Sequence, residues 1–91
     1  SQVQSAKRPR QALRVLVVQQ DVQLGEAFRD ALSAWGAKAE WVGTLSAAIT
    51  TCEQPFDILV LDSHLPDGSG VKLAELVARM RPAPLVVHTI S

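Results

Sequence analysis

Aromatic residues are scarce in this chain: two Trp, two Phe and no Tyr among 91 residues. Aliphatic side chains must therefore fill any core. Cysteine is scarcer. The single Cys52 rules out an intrachain disulfide and suits a reducing, cytoplasmic setting. Long apolar runs are missing too. None approaches the roughly 18 residues that cross a bilayer, so no membrane contact by this domain is expected, although a parent protein could be tethered. The opening stretch is polar and basic and does not read as a signal peptide. It starts on Ser and not on Met, which reads as a fragment or a processed chain. An excess of one charge sign is also lacking, with nine basic and nine acidic residues. That balance hides an asymmetry. Lys7, Arg8, Arg10 and Arg14 cluster at the start, and the body from residue 15 holds five basic against nine acidic residues, a net of −4. The body is not expected to bind nucleic acid. The basic start reads as a solvated linker.

What is present is a globular composition, 47% hydrophobic with 20% charged, in a length that makes one domain at most. Residues 1–12 show no apolar periodicity and contain Pro9, so they read as a linker or tail. A domain is expected over 13–91. Arg14 to Val18 is a continuous β-branched run, the pattern of a strand buried on both faces. Asp21 can cap a helix whose apolar face carries Leu24, Phe28, Ala31, Leu32 and Trp35, with Gly36 at its end. Residues 37–42 alternate as a strand. Thr44 is a candidate N-cap for a short helix with Leu45, Ala48, Ile49 and Cys52, which Pro55 ends. Phe56 to Leu61 is a second continuous strand, followed by a Pro/Gly/Asp-rich loop over 62–70. Val71, Leu73, Ala74, Leu76, Val77 and Met80 mark a third helix. Pro82 and Pro84 precede a last strand at Leu85–Val87. This β-α-β-α-β-α-β order predicts a parallel sheet with helices on both faces.

In such sheets the ligand site lies beyond the carboxyl ends of the strands. Gln19-Gln20-Asp21, Asp62-Ser63-His64 and His88-Thr89 fall at those ends. Asp62 is the most informative, because it closes an apolar run where a charge is expensive. Other site classes are poorly supported. His64 and His88 lack partners at zinc-ligand spacing. Gly68 and Gly70 are not followed by the Lys-Ser/Thr of a phosphate-binding loop. Cys52 lies on an apolar helix face, and Trp35 and Trp41 read as packing residues.

The segments RVLVVQQD, DILVLDSHLPDGSG and LVVHTIS resemble the receiver domains of response regulators and hybrid histidine kinases. The resemblance covers residues 14–91. Its most specific part is Asp62 with Pro66 four residues later and Gly70 eight residues later. It implies a flavodoxin-like, doubly wound parallel sheet of order 2-1-3-4. It implies that Asp62 is the position that accepts a phosphoryl group from a histidine kinase or phosphotransfer protein. It also implies that His64 offers its backbone carbonyl to Mg²⁺ and that Thr89 is the switch hydroxyl. A carboxylate can act as a nucleophile toward phosphorus, provided the phosphoryl charge is neutralised.

Two departures from the pattern stand out. The family places an acidic pair after the first strand to hold the metal, and here those positions read Gln19 and Gln20. Amides supply oxygen but no charge, so weak Mg²⁺ binding is expected, with Asp21 the nearest substitute carboxylate. The family's last helix-strand-helix, with its lysine, is also lacking. An exposed fourth strand is then expected to pair with a second copy, to swap, or to be completed by another domain. The expected role is an impaired-pocket, pseudo-receiver interaction module that is not itself an enzyme, within a parent that could be a histidine kinase. An active phosphoacceptor is the alternative. A remote third reading is a cobalamin-binding flavodoxin-like domain, since Asp62-Ser63-His64 begins like the Asp-x-His motif of that family. That motif wants glycine where Asp67 stands.

Overall fold

A computed structural model describes residues 13–89. The tail expected over 1–12 and the final residues 90–91 lie outside the described residues. The apolar run Arg14–Val18 forms β1, and Val15 to Val18 are all buried. Asp21 caps α1 (Val22–Trp35), its carboxylate accepting the N–H of Leu24. Gly36 ends that helix at φ 111°, a left-handed conformation that suits glycine, and its N–H donates back to Leu32 and Ser33. β2 (Lys38–Val42) follows, then α2 (Leu45–Thr51), capped by the Thr44 hydroxyl. The second apolar run becomes β3 (Ile58–Asp62). The loop expected over 62–70 contains a small antiparallel pair, β4 (His64–Leu65) and β5 (Gly68–Ser69). Ser69 caps α3 (Gly70–Val77), and β6 (Leu85–Thr89) closes the described chain.

The main sheet runs β2-β1-β3-β6 with every pairing parallel. This is the expected 2-1-3-4 order once the β4–β5 pair is set aside. The continuous runs take the central places because a central strand is covered on both faces and has no polar side to present. Register fixes which residues share a layer. Leu16, Val18, Leu59 and Leu61 pack with Leu45 and Ala48 of α2, Cys52 at its C-cap, and Leu73 and Val77 of α3. Val15 and Val17 face the other way, with Phe28 and Leu32 of α1 and Ile58 and Val60 of β3. Leu16, Leu59, Leu61 and Leu73 have at most 1% exposure. Each contributes on the order of 2 kcal/mol through burial.

Several expectations need correction. Trp35 does not join the buried face of α1; it is 75% exposed, and Leu24 is 41% exposed. α1 packs on β1 and β2. Ala37, just past Gly36, takes the buried place at that end of the sheet, so Trp35 stays in solvent. Ile49 likewise lies outward. The third strand starts at Ile58 and includes Asp62, whereas Phe56 packs on the core from the preceding turn. α3 stops at Val77, and Met80 reaches the core from beyond it.

Candidate functional site

The two buried polar residues among the described ones, Gln19 and Asp62, stand at the carboxyl ends of neighbouring central strands. Val18 pairs with Leu61 in register, so the next residue of each strand opens onto the same sheet mouth. Asp62 is fully buried. Its Oδ1 accepts the backbone N–H of His64 at 3.2 Å. Its Oδ2 finds no hydrogen-bond partner in the protein. A buried carboxylate oxygen without a partner carries an uncompensated desolvation penalty.

Each residue named from sequence has a definite place. Thr89 lies beside Asp62 in the β3–β6 register. Its hydroxyl donates to the Leu61 carbonyl at 3.5 Å, a long bond. The His64 side chain is exposed, with Nδ1 3.3 Å from the Ser63 hydroxyl. Gln20 and Asp21 are exposed. Gln19 turns inward and is 2% exposed. Its side-chain Oε1 accepts the N–H of Asp21 at 3.2 Å, and its own N–H donates to Val42 at 3.1 Å.

Three further contributions shape the site, from Trp41 and Asp67, to which residue pattern assigned no site role, and from Gly70, which the motif around Asp62 already marked. The indole N–H of Trp41 donates to the Gln19 carbonyl at 2.8 Å. A Cβ at Gly25 would strike that indole, so the glycine lets the ring lie against α1. On the other side of the mouth, Asp67 accepts the N–H groups of Leu45 at 2.6 Å and Ser46 at 2.9 Å, tying the loop after Asp62 to the start of α2. Those two backbone bonds hold its carboxyl below the usual carboxylate range. Gly70 passes so close to the Asp62 carbonyl and the Leu61 side chain that a Cβ would collide with them. The Asp and Gly of LPDGSG were visible signals of a constrained turn. No local pattern foretold the Trp41 bond, which joins residues 22 apart.

The donor set does not suit a magnesium ion. The free Oδ2 of Asp62 would welcome a cation. Yet no three His, Cys, Asp or Glu side chains converge among the described residues. The Gln19 oxygen already accepts the N–H of Asp21, and Asp21, exposed, turns its Oδ1 to the N–H of Leu24 at the start of α1. A single buried carboxylate is a poor match for a hard dication. A cavity of about 370 Å³ lies at the opposite end of the strands, lined by Arg14, Lys38 and Glu40 among others, remote from Asp62.

No family model matches the chain. The swarming motility regulation protein RssB of Serratia marcescens is 34% identical over 79 residues, covering 85% of this chain and 36% of that protein. The receiver domain of HemR from Leptospira biflexa, in its non-phosphorylated form, is 36% identical with a TM-score of 0.75, covering 86% of this chain and 64% of that one. This chain has the fold of receiver domains and is similar in sequence to them. A CheY-like receiver domain protein from Methanospirillum hungatei superimposes with a TM-score of 0.82 at 24% identity, covering 87% of this chain and 64% of that one, and so supports the fold. The chain spans about a third of the length of the curated relative and less than two thirds of these two receiver structures. No described helix is long and apolar enough to cross a membrane.

Proposed function

We propose that this chain is a pseudo-receiver, a signalling module that works by protein contact and not by efficient phosphoryl transfer at Asp62. The observation that supports this most is the composition of the sheet mouth. Asp62 stands there with an amide, Gln19, in place of a carboxylate, and that amide's oxygen is already bonded to Asp21. A phosphoryl group arriving at Asp62 Oδ2 would bring added negative charge to a buried carboxylate without a cation to neutralise it. Transfer depends mainly on that neutralisation. In this reading Mg²⁺ binds weakly, through Asp62 and the His64 carbonyl with Asp21 at a distance. Asp62, buried, and Thr89, half-buried, serve as landmarks of the fold. The partners are a histidine kinase or a phosphotransfer protein of the same pathway, in the cytoplasm.

Incubation with Mg²⁺ and acetyl phosphate, followed by intact mass measurement, tests this. The expected result is an unchanged mass. An acid-labile gain of one phosphoryl group, lost in Asp62→Asn, would establish the active phosphoacceptor instead. That second reading draws its support from the Asp62–Thr89 register, which puts a hydroxyl next to the carboxylate.

A further inference from the structure

The turn between β1 and α1 is held by hydrogen bonds at both Gln19 and Asp21. The Gln19 N–H donates to the Val42 carbonyl at 3.1 Å, and the Gln19 carbonyl accepts the Trp41 indole N–H at 2.8 Å. The Asp21 N–H donates to Gln19 Oε1 at 3.2 Å, and the Asp21 carbonyl accepts the Gly25 N–H at 2.8 Å. Asp21 Oδ1 accepts the Leu24 N–H at 3.1 Å. Trp41 is half-buried on β2, in register with Val17, and β1 and β3 stand between it and β6. Its ring lies against Gly25, where any Cβ would strike it. Glycine weakens a helix interior, so this clearance is made at a cost to α1.

The identity of residue 19 bears on the same turn. A carboxylate there could accept the Asp21 N–H equally well. It would also set a second negative charge at the strand end next to Asp62, and like charges in a buried mouth repel unless a cation lies between them. The Gln19 amide makes the bond without the charge. We propose that Trp41 is a positioning residue, which latches the β1–α1 turn through the Gln19 carbonyl so that the sheet mouth holds one conformation without a cation. This deepens the pseudo-receiver reading and rests on it, because a mouth that waits for Mg²⁺ would rearrange at this turn when the ion arrived. The latch keeps Gln20 and Asp21 outward, where both are exposed.

Nuclear magnetic resonance of the ¹⁵N-labelled chain reads the latch directly. The chain has two indole N–H groups, and Trp35→Phe, which removes the exposed one, assigns them. In the wild type the Trp41 indole hydrogen should exchange with D₂O far more slowly than that of Trp35. Mg²⁺ should leave the Trp41 indole and the Asp21 and Leu24 amide signals in place. Trp41→Phe keeps a ring against Gly25 and deletes the donor. It should speed exchange of the Asp21 and Leu24 amides about fivefold beyond any change shared with Ala48 and Cys52 of the α2 region, the factor that one hydrogen bond sets. A role in packing alone would speed all four alike, and that result overturns the proposal. So does a Trp41 indole that exchanges as fast as Trp35, or one whose signal moves with Mg²⁺. These two wild-type measurements decide the matter even if Trp41→Phe fails to fold. Phosphorylation of Asp62 by acetyl phosphate with the Trp41 signal unmoved would sink the pseudo-receiver reading and leave the latch standing.

Discussion

Replacing Gly25 by alanine should destabilise this protein, although the same change inside most helices does the opposite. Alanine is ordinarily favoured over glycine by about 1 kcal/mol in a helix interior. Gly25 is the buried residue of α1. A Cβ there would enter the indole of Trp41, meeting its Nε1, Cδ1 and Cε2 atoms. The ring cannot withdraw without losing its 2.8 Å bond to the Gln19 carbonyl. Overpacking of this kind costs about 1–3 kcal/mol, and the lost hydrogen bond about 1 kcal/mol more. Set against the propensity gain, the net loss is about 1–3 kcal/mol. Urea unfolding followed by circular dichroism measures it as a lower midpoint at unchanged slope. The cause is separable from a general helix effect. In a Trp41→Leu background the obstacle is gone, and Gly25→Ala should then stabilise by about 1 kcal/mol, a reversal of sign that a double-mutant cycle records. A raised midpoint for Gly25→Ala in the wild-type background would refute the claim that Trp41 is held against α1 and the pocket wall.

Other consequences follow from the same geometry. The Asp67 carboxyl is held below its usual range by the Leu45 and Ser46 N–H groups. The stability it contributes is present above its unfolded pKa and is lost as pH falls through the lower folded value. Urea midpoints taken from neutral to acid pH should fall more steeply for the wild type than for Asp67→Asn, and parallel curves would contradict the clamp. Gly70→Ala pushes on the Asp62 carbonyl and Leu61, and should lower stability by about 1–3 kcal/mol in the same unfolding assay. Leu59→Ala removes a fully buried side chain from the larger core cluster. At about 2–5 kcal/mol the loss is a large fraction of a small domain's stability, and the thermal transition should broaden or vanish.

Much of the architecture was readable from residue pattern because the pattern had a direct physical cause. Arg14–Val18 and the run ending at Leu61 are apolar without alternation, so they had to be central strands. Asp21, Thr44 and Gly36 marked helix ends because each satisfies backbone groups the helix leaves open. The strand order came with the receiver resemblance and matches the observed sheet. Periodicity failed where burial depends on what lies opposite. Trp35 fits the apolar stripe of α1 but stays 75% exposed, because Ala37 takes the buried place at that end of the sheet. The sheet mouth was legible in part. Asp62 and Gln19 were marked by polar identity at the end of apolar runs. The inward turn of Gln19, its bond to Asp21 and the hold of Trp41 on its carbonyl depend on tertiary approach, which spacing does not encode.

The central claim is that the sheet mouth has kept the aspartate and lost the charge that makes it useful. Mg²⁺ tests this most directly through thermal stability, because a ligand that binds only the folded state raises the melting temperature. Gln19→Asp with Gln20→Asp puts carboxylates beside Asp62, where they repel until a cation arrives. That variant should melt below the wild type without Mg²⁺ and rise as Mg²⁺ is added, and Asp62→Asn should abolish the rise. The wild type should show almost no shift over the same range. A saturable, Asp62-dependent rise in the wild type, equal to that of the variant, would contradict the account.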